Sequence, residues 1–77
     1  MKAIHYQGFT IRSYPRRFPK RGGWTIKISI SWRADGLNKV KEYSADSPFP
    51  SEAEADIHGI TFGQRIIDKK IPGLLLI

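Results

Sequence analysis

Residues 24–33 read WTIKISISWR, and this stretch decides the fold. Large apolar residues (Trp24, Ile26, Ile28, Ile30 and Trp32) alternate strictly with polar or charged ones. A period of two, rich in β-branched and aromatic residues, predicts a β-strand with two different faces. We expect another element to cover the apolar face, and we expect the polar face to meet water or a partner.

The chain before this strand contains two shorter alternating runs. Their phase changes at Gln7 and Gly8, which is typical of a tight hairpin turn between a strand at 3–6 and a strand at 9–14. One continuous strand with a bulge at the glycine is the alternative interpretation.

Residues 15–23 read PRRFPKRGG, and their prolines and glycines predict a loop. The loop carries four cations around Phe18, so one interpretation is a basic arm that contacts phosphates and stacks its aromatic ring on a base. The alternative is a solvated loop whose like charges discourage pairing with other sheet edges.

An Asp-Gly pair at 35–36 predicts a turn into a strand at 38–44. A two-residue turn would place Lys39 and Lys41 on the apolar face. A loop with an odd number of residues would instead place them, with Tyr43, on the polar face. We expect the odd loop, because burying two ammonium groups is the costlier outcome.

Ser51 and Glu54 form a capping-box pattern that predicts the start of a helix at 51–70. Gly59 and Gly63 lie inside its apolar arc, where each glycine costs about 1 kcal/mol relative to alanine. We therefore expect the helix to approach bulky strand residues, Trp24 or Trp32, closely at these positions.

These patterns together predict the α+β class: a three- or four-stranded antiparallel sheet packed on one long C-terminal helix, in a single domain spanning 1–77. The expected strands and helix are 3–6, 9–14, 24–33, 38–44 and 51–70, followed by an apolar tail at 71–77. We expect the tail residues Leu74–Ile77 to close the core. The alternative is that they engage a protein partner or a second copy of the chain.

Charge is distributed unevenly along the 77 residues, whose net charge is +6. Residues 1–41 hold ten lysines or arginines and one acidic residue, whereas residues 42–77 hold three lysines or arginines and six acidic residues. A strongly basic half indicates an anionic polymer as a partner, although a solubilising surface charge is the simpler interpretation.

The chain lacks the patterns of an enzyme or a metal site. It has no cysteine, and its two histidines, His5 and His58, lack metal-ligand spacing. Glu54 and His58 are four apart on the polar side of the helix, where a solvated pair is the ordinary arrangement. We therefore expect a protein that is not an enzyme and needs no cofactor.

The strand arrangement, with the sequences GGWTIKISI and FPSEAEA, resembles the arm-type DNA-binding domain of phage integrases over about half the chain (residues 23–55). In that family a three-stranded sheet packs on one helix and inserts its open face into the major groove of DNA. The resemblance implies that the polar sheet positions face DNA.

A second resemblance covers nearly the whole chain. The segments HYQGFTI, GGWTIKI, FPSEAEA and RIID follow the outline of a group of small uncharacterised bacterial proteins. Since that group has no assigned function, this resemblance bears on the fold alone.

The leading hypothesis is a small module that binds double-stranded DNA through its basic sheet face. The candidate DNA-binding residues are Arg16, Arg17, Lys20, Arg21, Lys27, Ser29, Ser31, Arg33, Lys39, Lys41 and Tyr43. The alternative is a protein-interaction module that uses the sheet edge or Leu74–Ile77. With no signal-peptide pattern and no apolar run of membrane-spanning length, we expect a cytoplasmic protein without a membrane partner.

Overall fold

The computed structural model describes residues 2–20 and 22–69, with only the backbone considered at 46 and 47. In chain order the elements are β1 (Lys2–Tyr6), β2 (Phe9–Ser13), β3 (Arg16–Arg17), β4 (Trp24–Ala34), β5 (Leu37–Phe49) and α1 (Glu52–Ile67). The predicted α+β fold, an antiparallel sheet with one C-terminal helix, is confirmed.

The sheet is centred on β4, which is the strand identified first in the sequence. One side of β4 pairs with β2 and then with β3, and the other side pairs with β5 along nearly its whole length. β1 pairs with the outer side of β2. The backbone N–H of Tyr14 donates to the carbonyl of Lys27 (2.7 Å), so antiparallel pairing continues between β2 and β3.

The described sheet has five strands, more than the three or four expected. The additional strand, β3, lies inside the stretch that the sequence indicated to be a loop. Pro15 interrupts the alternation there, but Arg16 and Arg17 resume pairing with Thr25 and Trp24. A proline removes one backbone donor from a ladder without preventing the next residues from pairing.

Two hairpins are closed by two-residue turns with positive φ at both positions. The φ values are 53° and 82° at Gln7 and Gly8, and 53° and 75° at Asp35 and Gly36. This is the type I′ conformation, whose twist matches that of the flanking strands. The favoured hairpin at Gln7 and Gly8 is thus present.

The expected odd-numbered loop after β4 is wrong. The two-residue turn pairs Ala34 with Leu37, and the register then places Lys39 opposite Trp32 and Lys41 opposite Ile30. Directly opposite residues in an antiparallel pair share a face. Lys39 and Lys41 therefore lie on the same face as the apolar residues of β4.

The lysines escape burial because the helix covers only part of that face. α1 lies over β2 and β4, and it reaches β5 through Phe62, whose ring meets Tyr43 edge-on with centroids 6.5 Å apart. Lys39 and Lys41 lie beyond this contact and are exposed. The two ammonium groups are therefore not buried, and the cost of burying them, which led us to expect an odd-numbered loop, does not arise.

The helix begins as the capping pattern predicts. Ser51 is the N-cap, and its hydroxyl accepts a hydrogen bond from the backbone N–H of Glu54 (3.2 Å). The helix ends at Ile67, with Asp68 as the C-cap, which is earlier than the expected residue 70. Phe49, just before the helix, stacks on His58 with ring centroids 4.6 Å apart.

Gly59 and Gly63 allow the helix to lie close to the sheet. A Cβ atom on Gly63 would lie 2.8 Å from Cγ2 of Ile11, and one on Gly59 would lie 3.1 Å from Cγ2 of Ile28. The expected close approach is present, but the residues contacted are isoleucines and Ser13 near the middle of the sheet, not the two tryptophans.

The core lies between the helix and the centre of the sheet. Its buried cluster consists of Ile11, Ile26, Ile28, Ile30, Ile60 and Ile66. The tail 71–77, including Leu74–Ile77, lies outside the described residues, so its expected role in closing the core is a prediction.

Candidate nucleic-acid interface

The sheet has two faces of opposite character. The closed face is the one that α1 packs against, and it carries Ile11, Ile28 and Ile30. The open face carries the intervening residues, and no helix or strand of residues 2–20 and 22–69 lies over it. The strict alternation of β4 therefore separates the core from a polar face that no described helix or strand covers.

The open face concentrates positive charge. Its described cations are Arg12 on β2, Arg16 on β3, and Lys27 and Arg33 on β4, and its one described carboxylate is Glu42 on β5. Serines and threonines occupy five of the other described positions, and Ser29 lies at the centre, 6% exposed. The face therefore offers several donors and little negative charge to an anionic ligand.

Arg12 is held in a defined position on this face. It lies directly opposite Ser29, and its Nη1 donates a hydrogen bond to Oγ of Ser31 (3.1 Å), which directs the guanidinium toward the turn end of the sheet. The side chain is half-buried, which limits the rotamers that it can adopt. Its four other guanidinium N–H groups can still donate elsewhere.

Two shallow depressions mark the open face. The turn-side depression lies near the two hairpin turns and is lined mainly by Thr10, Arg12, Ser31, Arg33, Asn38 and Val40. The Pro15-side depression lies where β2 gives way to β3 and is lined by Tyr14, Pro15, Arg16, Lys27 and Glu42. Each contains two cations.

The structure brings some of the candidate residues together on the open face. They are Arg16, Lys27, Ser29, Ser31 and Arg33. All of them except Arg16 come from β4, so the alternation of one strand was sufficient to place them.

Four other candidate residues lie on the closed face, which corrects the expected position of Lys39, Lys41 and Tyr43 on the polar face and of Arg17 in the loop. Arg17 is opposite Trp24, Lys39 is opposite Trp32, and Lys41 and Tyr43 continue the same row. The cause is the two-residue turn in the case of β5, and the resumed pairing after Pro15 in the case of Arg17. The three cations are exposed at the margins of the face, whereas Tyr43 is half-buried.

The remaining two candidates come from the loop between β3 and β4. Lys20 is exposed in that loop. Arg21 lies outside the described residues. The N–H of Phe18 donates to the carbonyl of Gly23 (3.0 Å), so the loop is closed by a hydrogen bond at its base.

The sequence reasoning missed several open-face residues: Thr10, Arg12, Tyr14, Asn38 and Val40. The signal for Arg12 was present, because Ile11 belongs to the apolar parity and its neighbours must point the other way. Asn38 and Val40 could not be placed without the correct turn length.

The helix side of the molecule is more acidic. Glu52, Glu54 and Asp56 lie in the first turns of α1, and Asp68 caps its end. Acidic residues at a helix N-terminus are stabilised by the helix dipole. Much of the negative charge of the described chain therefore lies across the sheet from the open face.

Two tyrosines on the closed face have perturbed acidity. The hydroxyl of Tyr6 donates a hydrogen bond to Oδ2 of Asp68 (2.7 Å), and this bond, which favours the neutral phenol, raises the pKa of Tyr6 above 10.0. Burial raises the pKa of Tyr43 in the same direction.

The described residues contain no group of three or more His, Cys, Asp or Glu side chains that could hold a metal ion. The helix they form is not long and apolar enough to span a membrane.

No protein-family model, curated protein or solved structure matches this chain.

Proposed function

We propose that the protein is a non-enzymatic module that binds double-stranded DNA through the open face. The observation that carries this proposal is that four cations, from three neighbouring strands, share one uncovered sheet face with a single described carboxylate. Lysine and arginine side chains supply most of the affinity of proteins for the phosphate backbone. The resemblance of residues 23–55 to the arm-type domains of phage integrases points to the same ligand.

The width of the three strands β2, β4 and β5 supports this ligand. Neighbouring strands lie about 4.8 Å apart, so these three strands span about 10 Å, whereas the full width of the face with β1 is about 14 Å. The major groove of B-DNA is about 12 Å wide and admits strands as well as helices. Cations at the margins of the face, such as Arg16 and Arg33, would then lie close to the phosphates that line the groove.

The same dimensions favour DNA over duplex RNA. The major groove of A-form RNA is deep and narrow, so side chains on a flat sheet do not reach its base edges. A face that enters a groove as a unit is therefore suited to B-form DNA.

A matched pair of lysine variants tests the proposal. Lys27 lies on the open face and Lys39 on the closed face, and both belong to the β4–β5 hairpin. Lys27→Glu and Lys39→Glu change the net charge equally, so a difference between them reports position alone. We expect Lys27→Glu to weaken binding to a mixed-sequence duplex at least tenfold and Lys39→Glu to weaken it less than about threefold.

The measurement is fluorescence anisotropy of a labelled duplex at several salt concentrations, with circular dichroism to verify that each variant is folded. Binding of the parent protein should weaken steeply with salt, and Lys27→Ala should reduce the slope by about one. Equal effects of the two glutamate variants would show that net charge, and not the open face, governs binding. No binding of the parent at low salt would refute the proposal.

A second candidate function rests on the outer edge of β5. No strand of the described chain pairs with that edge, and Leu37 and Val40 beside it are each 62% exposed. An extended segment of a partner protein could add to the sheet there. Sedimentation of the protein over a range of concentrations, with and without duplex, separates the two candidates, because self-association without DNA binding would favour the edge.

A further inference from the structure

The two depressions of the open face differ in chemistry, which indicates different roles. The Pro15-side depression combines the exposed Arg16 with Lys27 and with the hydroxyl of Tyr14. Cations and a hydroxyl are groups that contact phosphate oxygens without regard to sequence. The turn-side depression contains a different set, in which one hydrogen-bonded arginine, Arg12, shares the depression with an exposed apolar group.

Arg12 is the donor of fixed direction in the turn-side depression. Its hydrogen bond to Ser31 (3.1 Å) and its partial burial hold the guanidinium in one place, which reduces the entropy lost when it binds a ligand. A planar guanidinium can donate two parallel hydrogen bonds to O6 and N7 of a guanine, and this is the commonest specific contact in the major groove.

Val40 is the apolar group of the same depression. It lies directly opposite Ser31, it is 62% exposed, and it shares the depression with the polar residues Thr10, Arg12 and Asn38. The fold gives no reason for a β-branched residue here beyond strand propensity. An exposed isopropyl group is suited to contact the C5-methyl group of thymine. The amide of Asn38, which is exposed in the same depression, can donate and accept hydrogen bonds with adenine.

We propose that the turn-side depression reads base edges, with Arg12 specifying guanine and Val40 contacting thymine, while the Pro15-side depression binds phosphates. This inference rests on the proposed function and adds that the ligand is a sequence-specific duplex, not duplex DNA in general. Specificity and affinity are then divided between the two ends of one sheet face.

Selection of duplexes from a randomised pool, followed by competition against a scrambled duplex, tests the division. The parent protein should enrich a site that contains a guanine. Arg12→Lys keeps the charge but loses the planar fork, so it should reduce the ratio of affinities for the selected and scrambled duplexes at least tenfold. Lys27→Ala should weaken binding to both duplexes alike.

Val40→Ala provides a second test that does not depend on Arg12. Val40 is exposed on an edge strand, so its truncation should leave the fold intact, and it should lower the preference at a thymine position of the selected site. A selection in which Val40→Ala and the parent show the same preference at every thymine would contradict the assigned contact.

The outcomes separate this inference from the function on which it rests. If the parent binds duplex DNA but enriches no sequence, or if Arg12→Lys retains the parent's preference, the base-reading role is wrong and the proposed function stands. If the parent binds no duplex at low salt, both fail.

Discussion

The closed and open faces of the sheet come from the same strands, but the helix packs only against the closed face. On the closed face, the glycines of α1 bring the helix within contact distance of Ile11 and Ile28, and both isoleucines are fully buried. On the open face, cations and hydroxyls lie apart from any covering element of the described chain. Adjacent residues of one strand therefore lie either in the core or on the uncovered face, and each can be changed without its neighbour.

The largest expected effect is a loss of stability at Ile28 on the closed face, compared with its neighbour Lys27 on the open face. Ile28 is fully buried, so Ile28→Ala should lower the free energy of unfolding by about 3 kcal/mol. Lys27 lies on the open face, and Lys27→Ala should lower it by less than about 1 kcal/mol. Chemical denaturation monitored by circular dichroism measures both.

That loss is a large part of the stability expected of so small a domain. Ile28→Ala should therefore be partly unfolded at ambient temperature. Equal losses in the two variants would mean that the two faces contribute alike to stability, contrary to the comparison.

The second prediction concerns the closeness of the helix to the closed face. Gly63→Ala places a Cβ atom 2.8 Å from Ile11, whose methyl group cannot move away easily because Ile11 is fully buried. The crowding should outweigh the gain of about 1 kcal/mol in helix propensity, so the free energy of unfolding should fall by about 1 kcal/mol. Thermal denaturation, with a fitted enthalpy of unfolding, measures this change in the free energy of unfolding.

Gly59→Ala is the matched control for this prediction. Its nearest contact would be 3.1 Å, to Cγ2 of Ile28, so crowding and helix propensity should nearly cancel. A stabilised Gly63→Ala protein would show that the helix lies farther from the sheet than described.

The smallest effect is a pH dependence confined to the closed face. The folded-state pKa values of Tyr6 and Tyr43 are both raised above 10.0. A raised pKa means that the stabilisation is fully present below about pH 10 and is lost as the pH rises through the folded-state value. The melting temperature should therefore fall above about pH 10.

Tyr6→Phe removes the hydrogen bond to Asp68 and should make that fall shallower. Tyr43→Phe should do the same through loss of the buried phenol, and neither variant should alter DNA binding near neutral pH. A pH profile of Tyr6→Phe identical to that of the parent would show that the Tyr6–Asp68 bond contributes nothing measurable.

Much of the fold could be predicted because it follows from local patterns. The alternation of β4, the glycine turns and the Ser51 cap each act over a few residues, and each was readable in the sequence. The close approach at Gly59 and Gly63 was also predictable, because glycine in a helix interior requires a compensating contact.

The register of β5 could not be predicted because it depends on the reach of the helix. The reasoning for an odd loop was sound only if the whole apolar face were covered. The helix leaves Lys39 and Lys41 exposed, and the twist of the type I′ turn then decides the register. The extent of coverage is a tertiary property that no local pattern contains.

The candidate interface was predicted about as well as its strands. Lys27, Ser29, Ser31 and Arg33 followed from one alternating strand, whereas the β5 residues inherited the error in the turn. Arg12 was missed for a different reason: the parity of β2 was used to find its apolar residues and not the polar ones between them.

The glycines of α1 also have a consequence for the order of folding. Gly59 and Gly63 meet side chains from both β2 and β4, so the helix fits only after these strands have paired. The two-residue turns close the β1–β2 and β4–β5 hairpins, which form within microseconds, whereas β2 and β4 are joined through the longer segment that contains β3. A slip of one residue in β4 would present Lys27 or Ser29 to the glycines, and the helix could not close against the sheet. Helix docking therefore completes folding and retains only the chains whose strands have paired in the correct register.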